Sequence, residues 1–261
     1  MPIIAIADQV LVPGGVRSAT ADCSEIAAAI DDVPAGAEIV LVSSDMIGWR
    51  ESRAIRLAYG QERIGLLRVD VPPTAFFLVT AALAMLRDGQ LSLASATAAL
   101  TDSVSSTQVL LSSVTSLERP APRFAQHLAS LWPTTRYLVD WGMQSVSRAR
   151  TVSPTAGLAV IVARSPKGFG DVDEEAWPTE RVELAVGRAT PWHAARWLEV
   201  TTLRERLDDV IAAVQHPDQT QALPVCRSCA RPGWGERCVF CQLPLTNSEM
   251  SGPVPSVGGL A

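Results

Sequence analysis

Residues 38–43 read Glu-Ile-Val-Leu-Val-Ser. A run that is apolar on consecutive residues leaves no side for water, the pattern of a strand buried on both faces in a parallel sheet. Similar β-rich runs stand on either side of it, at residues 3–12 and 64–71, and helical stretches separate the three. Asp22 followed by Glu25 gives a capping-box-like start to a helix through Ile30, residues 46–59 have helical spacing, and Thr74 caps an apolar helix that runs to Gly89. Strands alternating with helices of this length need crossovers, which are right-handed and make neighbouring strands parallel. Residues 1–90 are therefore expected to form a βαβ-type α/β unit.

Beyond residue 90 the pattern changes. Leu93, Leu100, Thr107 and Val114 recur every seven residues, so 91–150 reads as a mainly helical segment. Residues 157–163 (GLAVIVA) and 181–187 (RVELAVG) read as two strands suited to a hairpin. The acidic stretch between them, with Asp171, Asp173, Glu174, Glu175 and Glu180, is expected to be an exposed loop. Thr190 and Pro191 would then open a long amphipathic helix to about Gln215, completing a 151–216 unit of strand pair and helix, with Trp192 and Trp197 packed on the preceding sheet. Residues 217–245 read as a linker and a cysteine module, and the Ser-, Gly- and Pro-rich residues 246–261 as a disordered tail. No internal repeat stands out.

Composition excludes several classes. With 48% hydrophobic residues in 261 the chain is not broadly disordered, and a formal net charge of −5 argues against a body that coats nucleic acid or an anionic membrane. The longest apolar stretch, residues 71–86, carries two prolines and falls short of the about 20 residues a membrane span needs. The N-terminus has neither a basic segment nor a small-residue cleavage site, so a cytoplasmic protein without membrane attachment is expected.

Cys226, Cys229, Cys238 and Cys241 are spaced C-x2-C-x8-C-x2-C. Each pair can turn two thiolates toward one ion, and two pairs close a tetrahedral shell suited to structural Zn(II), with iron the alternative. Residues 224–245 resemble the zinc-ribbon superfamily, and that resemblance implies a module that docks a protein or nucleic-acid partner. Arg227, Arg231 and Arg237 make it locally basic, while Trp234 and Phe240 either stack on bases or form the module's own core. Cys23, outside the pattern, reads as a small buried residue of the first helix.

Asp8, Asp45 and Asp70 fall near the C-terminal ends of the first three strands, where open α/β sheets bind ligands, and together they could hold Mg(II). The run IVLVSSD (39–45), followed by a helix and a third strand, is similar to part of the PIN and NYN ribonuclease domains, which implies a Mg-dependent nuclease over residues 1–90. Those domains open with Asp-x-Asn before a Val-Leu pair; here Ala7, Asp8 and Gln9 precede Val10 and Leu11. Each acid also has an ordinary role available: Asp45 as a helix cap, Asp70 paired with Arg68, Asp8 at a sheet edge. No G-x-S-x-G, H-E-x-x-H or G-x-G-x-x-G occurs. The sequence alone thus favours an intracellular zinc-binding assembly or docking factor, with a PIN/NYN-like nuclease as the alternative.

Overall fold

The computed structural model describes residues 3–7, 12–59, 62–87, 89–130, 132, 135–154, 156–185, 192–216 and 223–245. The fold is mixed α/β, with one parallel and one mixed sheet. Strands β1 (Ile3–Ile6) and β2 (Arg17–Ala19), helix α1 (Cys23–Asp31), β3 (Ile39–Ser43), α2 (Met46–Tyr59) and β4 (Ile64–Arg68) build a four-stranded parallel sheet in the order β2-β1-β3-β4. As its unbroken apolar run requires, β3 is buried at every position. Helices α1 and α2 cover one face, setting Ile26, Ile30 and Ile55 against Ile4, Ile6 and Leu41. Asp22 caps α1 as expected, accepting from the Ser24 and Glu25 amides.

Helix α3 (Pro73–Ala84) covers the other face and is shared between the two sheets. Phe76, Val79 and Leu83 pack on β1 and β3, while Leu78 belongs to the core of the second sheet. A helix enclosed on both sides needs no polar stripe, which accounts for its apolar sequence. Its N-cap is Pro72, and Thr74 does not cap it: the Thr74 side chain points into the core.

Helix α4 (Ala94–Ser103) follows, then β5 (Ser105–Leu111), α5 (Phe124–Ala129), β6 (Tyr137–Asp140), β7 (Ser145–Arg148), β8 (Ala159–Arg164), β9 (Glu180–Leu184), β10 (Trp197–Leu203) and α6 (Leu207–Gln215). The six strands form a sheet ordered β7-β6-β5-β10-β8-β9, antiparallel except for β8 with β9.

Four expectations for this half are corrected. The segment 91–150 is not mainly helical, because α4 ends at Ser103 and the seven-residue series continues into β5, where Thr107, Val109 and Leu111 are buried. The strands in 157–163 and 181–187 are parallel neighbours, not a hairpin. The acidic segment between them crosses the outer face of the second sheet and is not merely solvated. Its Phe169 and Trp177 cover Val160, Val162, Leu198 and Val200, and Arg164 and Arg181 hold Glu174. In place of a long helix, residues 197–203 form the central strand β10, buried throughout, and among the described residues 192–216 only 207–215 is helical. Thr190, Pro191, the linker residues 217–222 and the tail 246–261 lie outside the described residues. Among the described residues, no helix is long and apolar enough to cross a membrane.

Candidate ligand site at the strand ends

The chain leaves β1 toward β2 on one side and leaves β3 toward β4 on the other, so the carboxyl ends of β1 and β3 form a topological switch point. Open α/β sheets bind their ligands in the crevice at such a point. Ile6 and Ser43 are register partners there, and Ser43 in turn is the partner of Arg68. The Ser43 hydroxyl is fully buried and has no hydrogen-bond partner among the described residues. A buried hydroxyl left unpaired costs about 1–3 kcal/mol, which a ligand atom could recover.

Helix α2 starts against this edge. Asp45 accepts the Gly48 amide at 2.7 Å, and a Cβ on Gly48 would lie 3.0 Å from Ile6 Cγ2 and 3.4 Å from Ser43 Cβ. The helix can come this close to the strand ends because residue 48 is glycine. Its first residues, Met46 and Ile47, are exposed although apolar. Arg68 Nη1 lies 2.8 Å from Met46 Sδ, and Arg68 and Arg119 both pair with Asp70, at 3.3 and 3.2 Å. Two guanidinium groups sharing one carboxylate leave a net positive charge. The edge thus combines an unpaired hydroxyl, a surplus cation and exposed apolar side chains, a set suited to an amphipathic anion.

The three acids expected to gather a Mg(II) ion do not do so. Asp45 is a helix cap, Asp70 is held by two arginines, and Asp8 lies outside the described residues. Among the described residues the only group of side chains that could share a metal ion is Cys226, Cys229, Cys238 and Cys241, whose sulfurs all lie within 4.8 Å of one another. Phe240, Trp234 and Arg231 of that segment turn inward, whereas Arg227 and Arg237 are exposed. Phe240 is buried in the core of the parallel sheet beneath Arg231, 4.2 Å from its ring centroid; Arg231 pairs with Glu38 at 2.6 Å; Trp234 packs toward the second core. They make no base-stacking surface. Cys23 is half-buried, and its thiol donates to Glu51 at 2.7 Å, a bond that pushes the thiol pKa up.

The sequence did not single out a second polar site, on the α3 side of β10. Glu199 is fully buried and accepts three hydrogen bonds of 2.6 Å, from the Thr74 amide, the Thr74 hydroxyl and Trp192 Nε1. Thr74 also meets Thr201 at 2.6 Å, and Thr201 meets Thr107 at 2.7 Å. Thr107 lines a recess of about 240 Å³ with Asp102, Ser105, Ser106, Trp141 and Gln144. Burial pushes the Glu199 carboxyl pKa up, against the opposing pull of its three donors.

No family model and no curated protein matches this sequence. Solved structures match it in fold. A DegV family protein from Eubacterium eligens loaded with heptadecanoic acid superposes with a TM-score of 0.52 at 9% identity, over 78% of this chain and 99% of its own. A DegV family protein from Corynebacterium glutamicum gives 0.52 at 13%, over 78% and 97%. A fatty-acid-binding DegV family protein from Thermus thermophilus gives 0.53 at 10%, over 77% and 99%. These matches overturn the earlier functional reading: the zinc-ribbon docking or assembly factor rested on residues 224–245, the nuclease on residues 1–90, and the fold that spans both sheets is neither. At these identities the likeness establishes the architecture, and the chain has the two-sheet α/β fold seen in DegV family proteins.

Proposed function

We propose that this protein binds a long-chain fatty acid, with the carboxylate head at the carboxyl ends of β1 and β3. The observation that carries the reading is the fold shared with DegV family proteins over 97–99% of their length, two of them described with a fatty acid. The strand-end chemistry supports it independently. Ser43 supplies a hydroxyl that lacks a partner among the described residues, Arg68 a guanidinium beside it in the sheet, and Met46 and Ile47 exposed apolar surface. A carboxylate accepting from Arg68 would neutralise it, and with the first turn of α2 moved off the strand ends it would also satisfy Ser43, forming charge-assisted bonds stronger than neutral ones.

The test is titration of delipidated protein with heptadecanoic acid, alongside mass spectrometry of lipids extracted from the purified protein. One molecule per chain is expected. Ser43→Ala and Arg68→Ala should each weaken binding about ten-fold, the value of one charged hydrogen bond. Ser43→Ala should leave the ligand-free protein equally stable or more so, because it removes an unsatisfied buried group. Delipidated wild-type protein that takes up no heptadecanoic acid would refute the proposal.

A further inference from the structure

The cysteine segment contains a repeat that the sequence reading missed. Cys226-Arg-Ser-Cys-Ala-Arg-Pro232 and Cys238-Val-Phe-Cys-Gln-Leu-Pro244 have the same backbone. In each, the residue after the second cysteine donates back to the first, Ala230 N to Cys226 O at 2.8 Å and Gln242 N to Cys238 O at 2.9 Å. In each, the first cysteine amide donates five residues ahead, to Arg231 O at 2.9 Å and to Leu243 O at 3.0 Å. Ala230 and Gln242 both take the left-handed conformation, with φ of 56° and 61°, and each turn closes on its proline through a β-bridge, Val225 with Pro232 and Arg237 with Pro244. Two matching turns thus present two sulfurs each to a common point.

The sulfur separations fit an ion at that point. Cys226 and Cys241 sulfurs lie 3.8 Å apart, Cys229 and Cys238 sulfurs 3.6 Å. A tetrahedron with zinc–sulfur bonds of about 2.3 Å has sulfur–sulfur edges of about 3.8 Å. Binding replaces four S–H protons by one divalent ion and leaves the centre with two negative charges.

The module is fixed to one strand. β4 is an edge of the parallel sheet, and an edge leaves backbone groups open. Here Leu66 N donates to Val239 O at 2.8 Å, and Gln242 Nε2 donates to Leu66 O at 3.0 Å. Gly65 makes the approach possible, since a Cβ there would sit 2.9 Å from Val239 Cγ1. Val239, Phe240 and Leu245 pack in the core of the parallel sheet. Both of the groups that engage Leu66 sit within or beside the second cysteine turn.

We propose that Cys226, Cys229, Cys238 and Cys241 bind one structural Zn(II), and that this ion is a clasp holding the C-terminal turns over the edge of β4. The clasp is independent of lipid binding. Elemental analysis of the full-length protein, purified reduced, should give one zinc per chain, and Cys229→Ser with Cys241→Ser should abolish it. Cobalt(II) exchanged into the wild-type protein should show the intense absorption of a tetrahedral thiolate site, a readout that does not depend on whether the variant folds. Chelation should speed amide exchange in residues 62–68 about ten-fold or more while β5 and β10 keep their protection. Absence of zinc, iron in its place, no thiolate–cobalt absorption, unchanged exchange in 62–68, or equal loss in both sheets would each overturn the clasp.

Discussion

The indole Nε1 of Trp192 donates to Glu199 Oε2 at 2.6 Å, so a carboxyl with no solvent exposure is held from one side by an indole and from the other by Thr74. Trp192 is itself fixed by an edge-on contact with Trp141, ring centroids 6.1 Å apart, and Trp141 lines the recess that Thr107 also lines. Two routes therefore join the recess to the buried carboxyl: the tryptophan pair and the hydroxyl chain Thr107, Thr201, Thr74.

Because burial raises the Glu199 pKa above its ordinary 4.5, the folded protein holds this proton more tightly than the unfolded chain does. The stabilisation linked to it is complete below pH 4.5 and is lost as pH rises through the folded value. Trp192→Phe removes one of the three donors to this buried carboxyl and should cost about 1–3 kcal/mol. Glu199→Gln cannot release a proton, so it should remove the Glu199 contribution to the fall of stability with rising pH. Urea denaturation across a pH series measures both, and an unchanged pH dependence in Glu199→Gln would contradict the assignment.

Asp45→Ala tests the plain role given to that acid. It removes the acceptor for Gly48 N–H and should lower stability by about 1 kcal/mol, the usual value of an N-cap. Thermal denaturation measures it.

Gly65→Ala probes the seam between β4 and the cysteine turns. The added methyl would meet Val239 Cγ1 at 2.9 Å and Val40 Cγ2 at 3.2 Å, neither a flexible chain end that can swing away. A loss of about 1–3 kcal/mol is expected from overpacking. Amide exchange should place it in residues 62–68 first.

Three of the four strands of the first sheet were legible because they carry their burial in local sequence, β3 being apolar on consecutive residues, and Asp22 announces α1; the edge strand β2, three residues with one buried, gives no such run and was not read. The second sheet was not. β10 holds Glu199 and Thr201 in its interior, where contacts from Thr74, Thr107 and Trp192, 125, 94 and 7 residues away from their partners, make such side chains tolerable. A local reading sees those residues as polar and assigns the stretch to a helix face. The four cysteines were legible from spacing alone, whereas Ser43 gives no sign in sequence; its significance comes from register with Ile6 and Arg68.

Asp70 stands where it would compete with the proposed anionic ligand, since its carboxylate occupies both Arg68 and Arg119. All three side chains are at least a third exposed, so the pairs themselves are worth under about 1 kcal/mol, and Asp70→Asn should barely change stability. Its effect on binding should be opposite in sign to that of Arg68→Ala. Removing the negative charge frees both guanidinium groups and ends its repulsion of a bound carboxylate, a gain of about 1 kcal/mol at contact distance in a watery setting, or roughly five-fold in affinity. Titration with heptadecanoic acid at low salt should show tighter binding by Asp70→Asn, shrinking as ionic strength rises, because exposed charges are screened. The corresponding long-chain alcohol carries no charge and should bind wild type and variant alike; an equal gain for the alcohol would place the effect in the apolar contacts and remove the carboxylate from the strand ends.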